Sequence, residues 1–261
     1  MIDELLYEVA DGVATITLNR PERANAFTVG MIDRWADALA LAQRDASVHA
    51  IVVTGAGRAF CSGGDLSTLG GADTTALQHK AFIWETIHRI PLTLETVDKP
   101  VIAMLNGPAT GAGLDMALMC DLRFASDEAR FAESYVKVGV VPGDGGAYFL
   151  PRLVGIDRAL EMMWTGDLID AGEAERIGLV TRVVPHAQLK EFTYAFARRI
   201  VDGPPLAIRM TKRAVYQCLR TDLRTSLDLI SSHIALTMKS QDHHEGVRAA
   251  LEKRRPRFQG R

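Results

Sequence analysis

The stretch Val101–Asp121, VIAMLNGPATGAGLDMALMCD, reads as a buried strand, a glycine-broken turn and a helix with a carboxylate in its first turn. Val101–Leu105 is an unbroken apolar run directly after Pro100, which suits a strand covered on both faces. Gly107-Pro108 and Gly111-Ala112-Gly113 break the chain, and Leu114–Met119 are mostly strong helix formers. Such a turn leaves free main-chain N–H groups around Ala112 at the positive end of a helix. That is a place to hold negative charge developing on a substrate oxygen. The bland alternative is a tight strand-to-helix turn that needs glycine for sterics alone.

Outward from this stretch the same rhythm recurs. On the N-terminal side, Ala14, Ile16 and Leu18 alternate with Thr15 and Thr17 as a half-buried strand. Thr28 is a candidate N-cap for a helix whose apolar face is Ile32, Trp35, Leu39 and Ala42. Ala50–Thr54 is a second buried strand, and GAGRAFCSGG (55–64) is another glycine-rich connection. Ser67–Thr75 is small and polar and reads as a mobile surface segment, before a helical pattern over Ala81–Leu94. Strand, loop, helix repeated in this way specifies an α/β fold with parallel strands. Ligands in such sheets sit beyond the carboxyl ends of the strands, so both glycine loops are expected to face one site.

On the C-terminal side, Leu122–Ala125 and Arg130–Ala132 are short strands, and Ser134–Gly146 reads as a long loop. Gly155–Trp164 has helical period, and Asp170 with Glu173 resembles an N-cap with an acid in the first turn, closed by Gly178. Leu179–Val184 reads as a strand and Ala187–Val201 as a helix. Beyond Gly203-Pro204-Pro205 strand signals vanish, and Leu206–Arg220, Asp222–Lys239 and Gln241–Lys253 read as helices. The expected division is an α/β core over 1–201 and a helical part over 202–261.

Composition narrows the function classes. A net charge of −2 gives no field for nucleic acid or an anionic membrane surface. No apolar run reaches membrane-span length, and the acidic start MIDELLYEVADG lacks a secretory pattern. Three widely spaced cysteines, Cys61, Cys120 and Cys218, suggest neither a disulfide framework nor a zinc site, so a reducing, cytoplasmic location is expected. The Gly55-Ala56-Gly57 turn starts like a dinucleotide fingerprint, but Phe60 stands where its third glycine belongs. His243 and His244 are adjacent and cannot share a helical face as metal ligands. His79, Trp84 and His88 could line a pocket, with packing as the ordinary reading of each.

Four motifs, RAFCSGGDL (58–66), NGPATGAGLDMALMCD (106–121), KVGVVPGDGG (137–146) and TGDLIDAGEAERIGLV (165–180), make the chain resemble the crotonase superfamily, also called the enoyl-CoA hydratase/isomerase family. The resemblance runs from Leu18-Asn19-Arg20-Pro21 to Glu252–Pro256. It implies a spiral of ββα repeats followed by C-terminal helices, and an acyl-CoA thioester as substrate, with coenzyme A carried on the substrate and no other cofactor. It implies two main-chain N–H donors, Gly64 and Ala112, holding an enolate-type oxyanion. It places Arg23 and the segment Cys61, Gly63, Asp65 and Leu66 along the CoA moiety. Lys253 matches a lysine that reaches the CoA of a neighbouring subunit, implying a homotrimer or a dimer of trimers formed through the helical part.

Hydratases of this family use two glutamates, one to activate water and one to protonate the α-carbon. At those positions this chain has Asp115 and Tyr135. Tyr135 is not a carboxylate at neutral pH, and two substitutes are visible: Asp144, the candidate second acid, and Glu133, which on an extended segment could point the same way as Tyr135. Glu133 is expected to be a solvated loop residue. The resulting expectation is an enzyme that adds water to, or shifts the double bond of, an enoyl-CoA. Asp115 would move a proton or orient water, and Tyr135 would donate a hydrogen bond or shape the pocket. A hydrolase, decarboxylase or C–C lyase of the same superfamily, a non-catalytic acyl-CoA binder, or an RNA-binding member are the alternatives.

Overall fold

The computed structural model describes residues 3–65 and 74–261. Its centre is a six-stranded sheet of β1 (Leu5–Ala10), β2 (Val13–Leu18), β3 (Ala50–Gly55), β4 (Val101–Leu105), β6 (Leu122–Ser126) and β9 (Arg182–Val184), in that order. All neighbours are parallel except β1 and β2, which form an antiparallel hairpin. The parallel core follows from the apolar runs: every residue of β3 and β4 is buried. β1 is an addition to the sequence reading. Its signal is Asp11-Gly12, both at positive φ, a dipeptide suited to a two-residue hairpin turn.

A second, smaller layer consists of β5 (Ala109–Thr110), β7 (Arg130–Ala132) and β8 (Ile169–Asp170), and isolated pairings of Phe27 with Gly64 and of Cys61 with Ala109 extend it. Each chain circuit therefore lays one strand in the large sheet and one segment in the small layer before its helix. Phe27 precedes α1 (Val29–Arg44), Cys61–Gly64 precedes α2 (Ala76–Phe82), and Ala109–Thr110 precedes α4 (Ala112–Leu118). This is the expected ββα spiral. It explains how residues far apart in sequence meet, since equivalent points of successive circuits stack beside one another.

Helices cover both faces of the large sheet. On one, α1 and α3 (Arg89–Thr96) pack Trp35, Leu39 and Ile90 against the sheet. On the other, α8 (His186–Val201) sets Phe192 and Phe196 edge-on against Phe124, with ring centroids 5.1 Å apart in each case. Thr28 caps α1 by accepting from the Met31 N–H, and Asp170 caps α7 (Ala171–Arg176) by accepting from the Glu173 N–H, as the sequence indicates.

Three details differ from the sequence reading. The helical pattern over 81–94 is interrupted by a wide π turn, Ile83–Ile87. The stretch Ser134–Gly146 is not all loop, because Ser134–Val138 forms a 3-10 turn and Gly146 opens α5 (Gly146–Val154). Pro151 inside α5 is the residue that conceals this helix from a sequence reading. After α6 (Ile156–Thr165), the C-terminal region consists of α9 (Pro205–Cys218), α10 (Leu223–Thr237) and α11 (Gln241–Leu251). No helix among the described residues is long and apolar enough to cross a membrane. Leu66 and most of the segment read as mobile, through residue 73, lie outside the described residues.

Candidate active site

Two asparagines fix the loop that carries Gly64. Asn25, fully buried in the left-handed region, donates from Nδ2 to the carbonyls of Ala56 and Ala59 at 2.9 and 2.8 Å. Asn106 donates to Gly57 C=O at 2.9 Å and accepts from the Gly55 N–H at 3.1 Å. Asn25 lies outside the quoted motifs and Asn106 only opens one of them; the spiral is what shows that they staple the loop.

Farther along that loop, the Phe27 N–H donates to Gly63 C=O at 2.9 Å and the Asp65 N–H donates to Phe27 C=O at 3.0 Å. In a ladder the residue between two such bonds turns its own N–H the other way, and here that residue is Gly64. Among the described residues, neither the Gly64 nor the Ala112 N–H donates to an acceptor. The loops abut: a Cβ added to Gly63 would lie 3.5 Å from the Ala112 nitrogen. Gly111, at φ 52°, sets up the start of α4.

The structure gathers Asp115, Tyr135 and Asp144. Asp115 lies one turn into α4, Tyr135 in the 3-10 turn after β7, and Asp144 just before α5. The Tyr135 hydroxyl oxygen is 2.7 Å from Asp115 Oδ2 and 2.7 Å from Asp144 Oδ2, and the Asp144 main-chain N–H donates to Asp115 Oδ2 at 3.2 Å. Asp115 is fully buried, and Gly146 packs so closely that a Cβ there would overlap its carboxyl group. Asp144 instead lines a cleft of about 940 Å³. Met119, Phe149, Trp84 and His88 form the cleft wall near Asp144, and α9 borders it through Lys212 and Tyr216. His88 and Gly143 C=O are joined by a 2.8 Å hydrogen bond at Nε2, tying the π-turn segment to the loop that holds Asp144. Trp84 and His88 therefore line the cleft rather than the core.

Glu133 corrects the sequence expectation. It is fully buried rather than solvated, because it follows β7 directly inside the small layer, and neither carboxyl oxygen has a hydrogen-bond partner among the described residues. Burial, and then the negative charge of Asp115, push its pKa far above the usual carboxylate range. Burial also raises Asp115, with Tyr135 pulling it down and Asp144 pushing it up, and burial raises Asp144 against the Tyr135 bond and the charge of His88. The Tyr135 phenol is raised as well, by burial and by both carboxylates, and so keeps its proton.

A buried acid of this kind makes stability depend on pH. The native state holds a proton that the unfolded chain releases above about pH 4.3, so stability falls as pH rises from there towards the raised native pKa. Replacing Glu133 with Gln removes that slope, which is at most about 1.4 kcal/mol per pH unit. Melting curves at pH 5 and pH 8 should show a smaller drop for Glu133→Gln than for the wild type; equal drops would mean Glu133 is ionised in the fold.

The remaining sequence candidates separate. Arg23 is exposed beside the first glycine loop, and Asp65 is held by Arg20 Nη1 at 3.0 Å. Cys61 is completely buried: its thiol donates to Asn25 C=O at 3.2 Å, its N–H and C=O serve Pro108 and Thr110, and burial pushes its pKa up to about 12. It braces the loop and presents nothing to a ligand. Lys253 sits exposed just past α11.

A family model described as enoyl-CoA hydratase/isomerase matches residues 8–261. A crotonyl-CoA hydratase of Syntrophomonas wolfei is 33% identical over 257 residues, with 98% of each chain covered. A 1,2-epoxyphenylacetyl-CoA isomerase of Escherichia coli is 35% identical over 266 residues, with 100% of each covered. Among solved structures, an enoyl-CoA hydratase of Mycobacterium smegmatis superposes with a TM-score of 0.92 at 35% identity, covering 98% of this chain and 99% of that one.

Proposed function

The chain belongs to the enoyl-CoA hydratase/isomerase family and is an enzyme of that type acting on an acyl-CoA thioester, and on that premise we propose that it shifts the double bond of an enoyl-CoA rather than adding water across it. One observation carries this reading: the Tyr135 hydroxyl lies 2.7 Å from each of two carboxylates. Adding water calls for a second carboxylate at the Tyr135 position, to protonate the α-carbon. Here a phenolic oxygen fills it, and a phenol that keeps its proton is not a second carboxylate. Moving a double bond needs only a proton taken from one carbon and returned to another.

In this reading the Gly64 and Ala112 N–H groups hold the thioester oxygen as it becomes an enolate, each contributing on the order of 3 kcal/mol to the barrier. The Asp115–Tyr135–Asp144 array moves the proton. Arg23, Gly63 and Asp65 border the CoA moiety, which arrives as part of the substrate. Assembly into a trimer or dimer of trimers would cover the exposed apolar side chains of the C-terminal helices, among them Val215, Leu219, Leu223, Leu236 and Leu251, and would bring Lys253 to a neighbour's CoA.

The test is incubation with 2-enoyl-, 3-enoyl-, β-keto- and malonyl-type CoA esters, followed by mass spectrometry and chromatography. An unchanged mass with a new retention time for the enoyl esters is the expected result. A gain of one water, free CoA or loss of carbon dioxide as the main product would replace this reading with hydration, hydrolysis or decarboxylation.

A further inference from the structure

We propose that Asp144 is the carboxylate that touches the substrate, and that Asp115 is a positioning residue and proton store that acts on Asp144 only through Tyr135. The chemistry rests on the isomerase reading; the division of roles rests on the three side chains. Asp115 is 0% exposed and lies beneath Gly146 and Tyr135, whereas Asp144 lines the cleft. A substrate in the cleft meets Asp144 first.

The hydrogen count makes the array more than a pair of neighbours. Tyr135 has one hydroxyl proton and two carboxyl groups at 2.7 Å. That proton serves one of them. The other contact is a hydrogen bond only if its carboxyl group carries a proton and donates it to the phenolic oxygen. Two ionised carboxylates gathered around one hydroxyl would repel each other, and one proton between them removes the repulsion. The array thus holds one negative charge and one carboxyl proton. Asp115 Oδ2 also accepts the Asp144 main-chain N–H at 3.2 Å, so it has two donors, which places the resting charge on Asp115 and the proton on Asp144.

This arrangement turns Asp144 from acid to base without solvent. Its proton passes to the Tyr135 oxygen as the Tyr135 proton passes to Asp115. Two O–H bonds break, two form, and the charge moves to Asp144. Asp144 then takes the proton from a substrate carbon, the C–H electron pair entering the thioester as an enolate. It returns the proton at the other carbon as the double bond re-forms, and the reverse relay restores the array. The other titratable groups facing it are Glu133 beside Asp115, His88 bonded to the Gly143 carbonyl next to Asp144, and the buried Cys61 thiol.

Coupled carboxyl groups sharing one proton give a bell-shaped pH–rate profile. Asp115→Asn leaves a single titrating carboxyl, so the alkaline limb should vanish and the acid limb should move to higher pH. Both Asp115→Asn and Tyr135→Phe should lower kcat by roughly tenfold with KM little changed, far less than Asp144→Asn, and the double variant should be no worse than the poorer single one. If Asp115→Asn is as inactive as Asp144→Asn while Tyr135→Phe keeps the wild-type profile, Asp115 acts on the substrate directly and the proposal is wrong. A second readout needs no turnover. In a Glu133→Gln background, infrared spectra at neutral pH should show a protonated-carboxyl stretch that Asp144→Asn removes; absence of that band overturns the shared proton. Failure of every CoA ester to isomerise would overturn the isomerase reading while the infrared result still decides the array.

Discussion

Replacing Asp144 with Asn is expected to lower kcat by about 10²–10⁴-fold, the usual worth of a positioned acid or base, with KM little changed. The fold should not suffer. Asn keeps the shape of the side chain, and its amide can donate to the Tyr135 oxygen as the protonated Asp144 does, that oxygen lying 2.7 Å from both carboxyl groups. Asp144 is only 5% exposed, and its burial raises its pKa, so its ionised form is costly in the native state. The variant should therefore melt at the same temperature as the wild type or slightly higher, the pattern of a residue kept for chemistry at some expense to stability. Steady-state kinetics and calorimetry on one preparation check both halves. An active Asp144→Asn enzyme would remove this carboxylate from the reaction.

Replacing Gly113 with Ala is expected to damage both the fold and the site with a single methyl group. A Cβ at Gly113 would overlap the Cys61 carbonyl oxygen and lie 2.7 Å from its carbon and 2.8 Å from its Cβ. Two of these are backbone atoms, and Cys61 cannot yield because its N–H, C=O and thiol are all committed. The start of α4 must then move off the loop, at about 3 kcal/mol or a little more, or roughly 6–12 °C in melting temperature for a chain of this size. The same movement separates Ala112 from Gly64. Any folded fraction should lose a further 10²–10³-fold in kcat, about the effect of removing one oxyanion donor. A Gly113→Ala protein with wild-type stability and activity would show that the two loops are not held in register as described.

Structure is legible in the sequence where local chemistry decides it. Val101–Leu105 is buried because it is apolar on both faces, and Thr28 and Asp170 cap helices because each side chain can accept a main-chain N–H three residues on. The glycine loops were legible for the same reason. What escaped depends on the spiral. Asn25 and Asn106 look like ordinary loop residues until the circuits stack them on the 55–64 loop. Glu133 looks solvated because nothing in its neighbours announces that β7 runs through the small layer. Cys61 sits inside a motif yet faces inward, since strand-like alternation decides which residues of the motif face out. Tyr135 looked like a lost glutamate; only the fold shows it joining Asp115 to Asp144.

A phenol at Tyr135 in place of a second carboxylate makes the site, in our reading, an isomerase. Isomerase action is tested most directly by converting a single 3-enoyl-CoA in ¹⁸O-labelled water and following the products by NMR and mass spectrometry. The account predicts 2-enoyl-CoA without label as the main product at early times. A 3-hydroxyacyl-CoA bearing ¹⁸O, formed as fast as or faster than the shifted double bond, would contradict it.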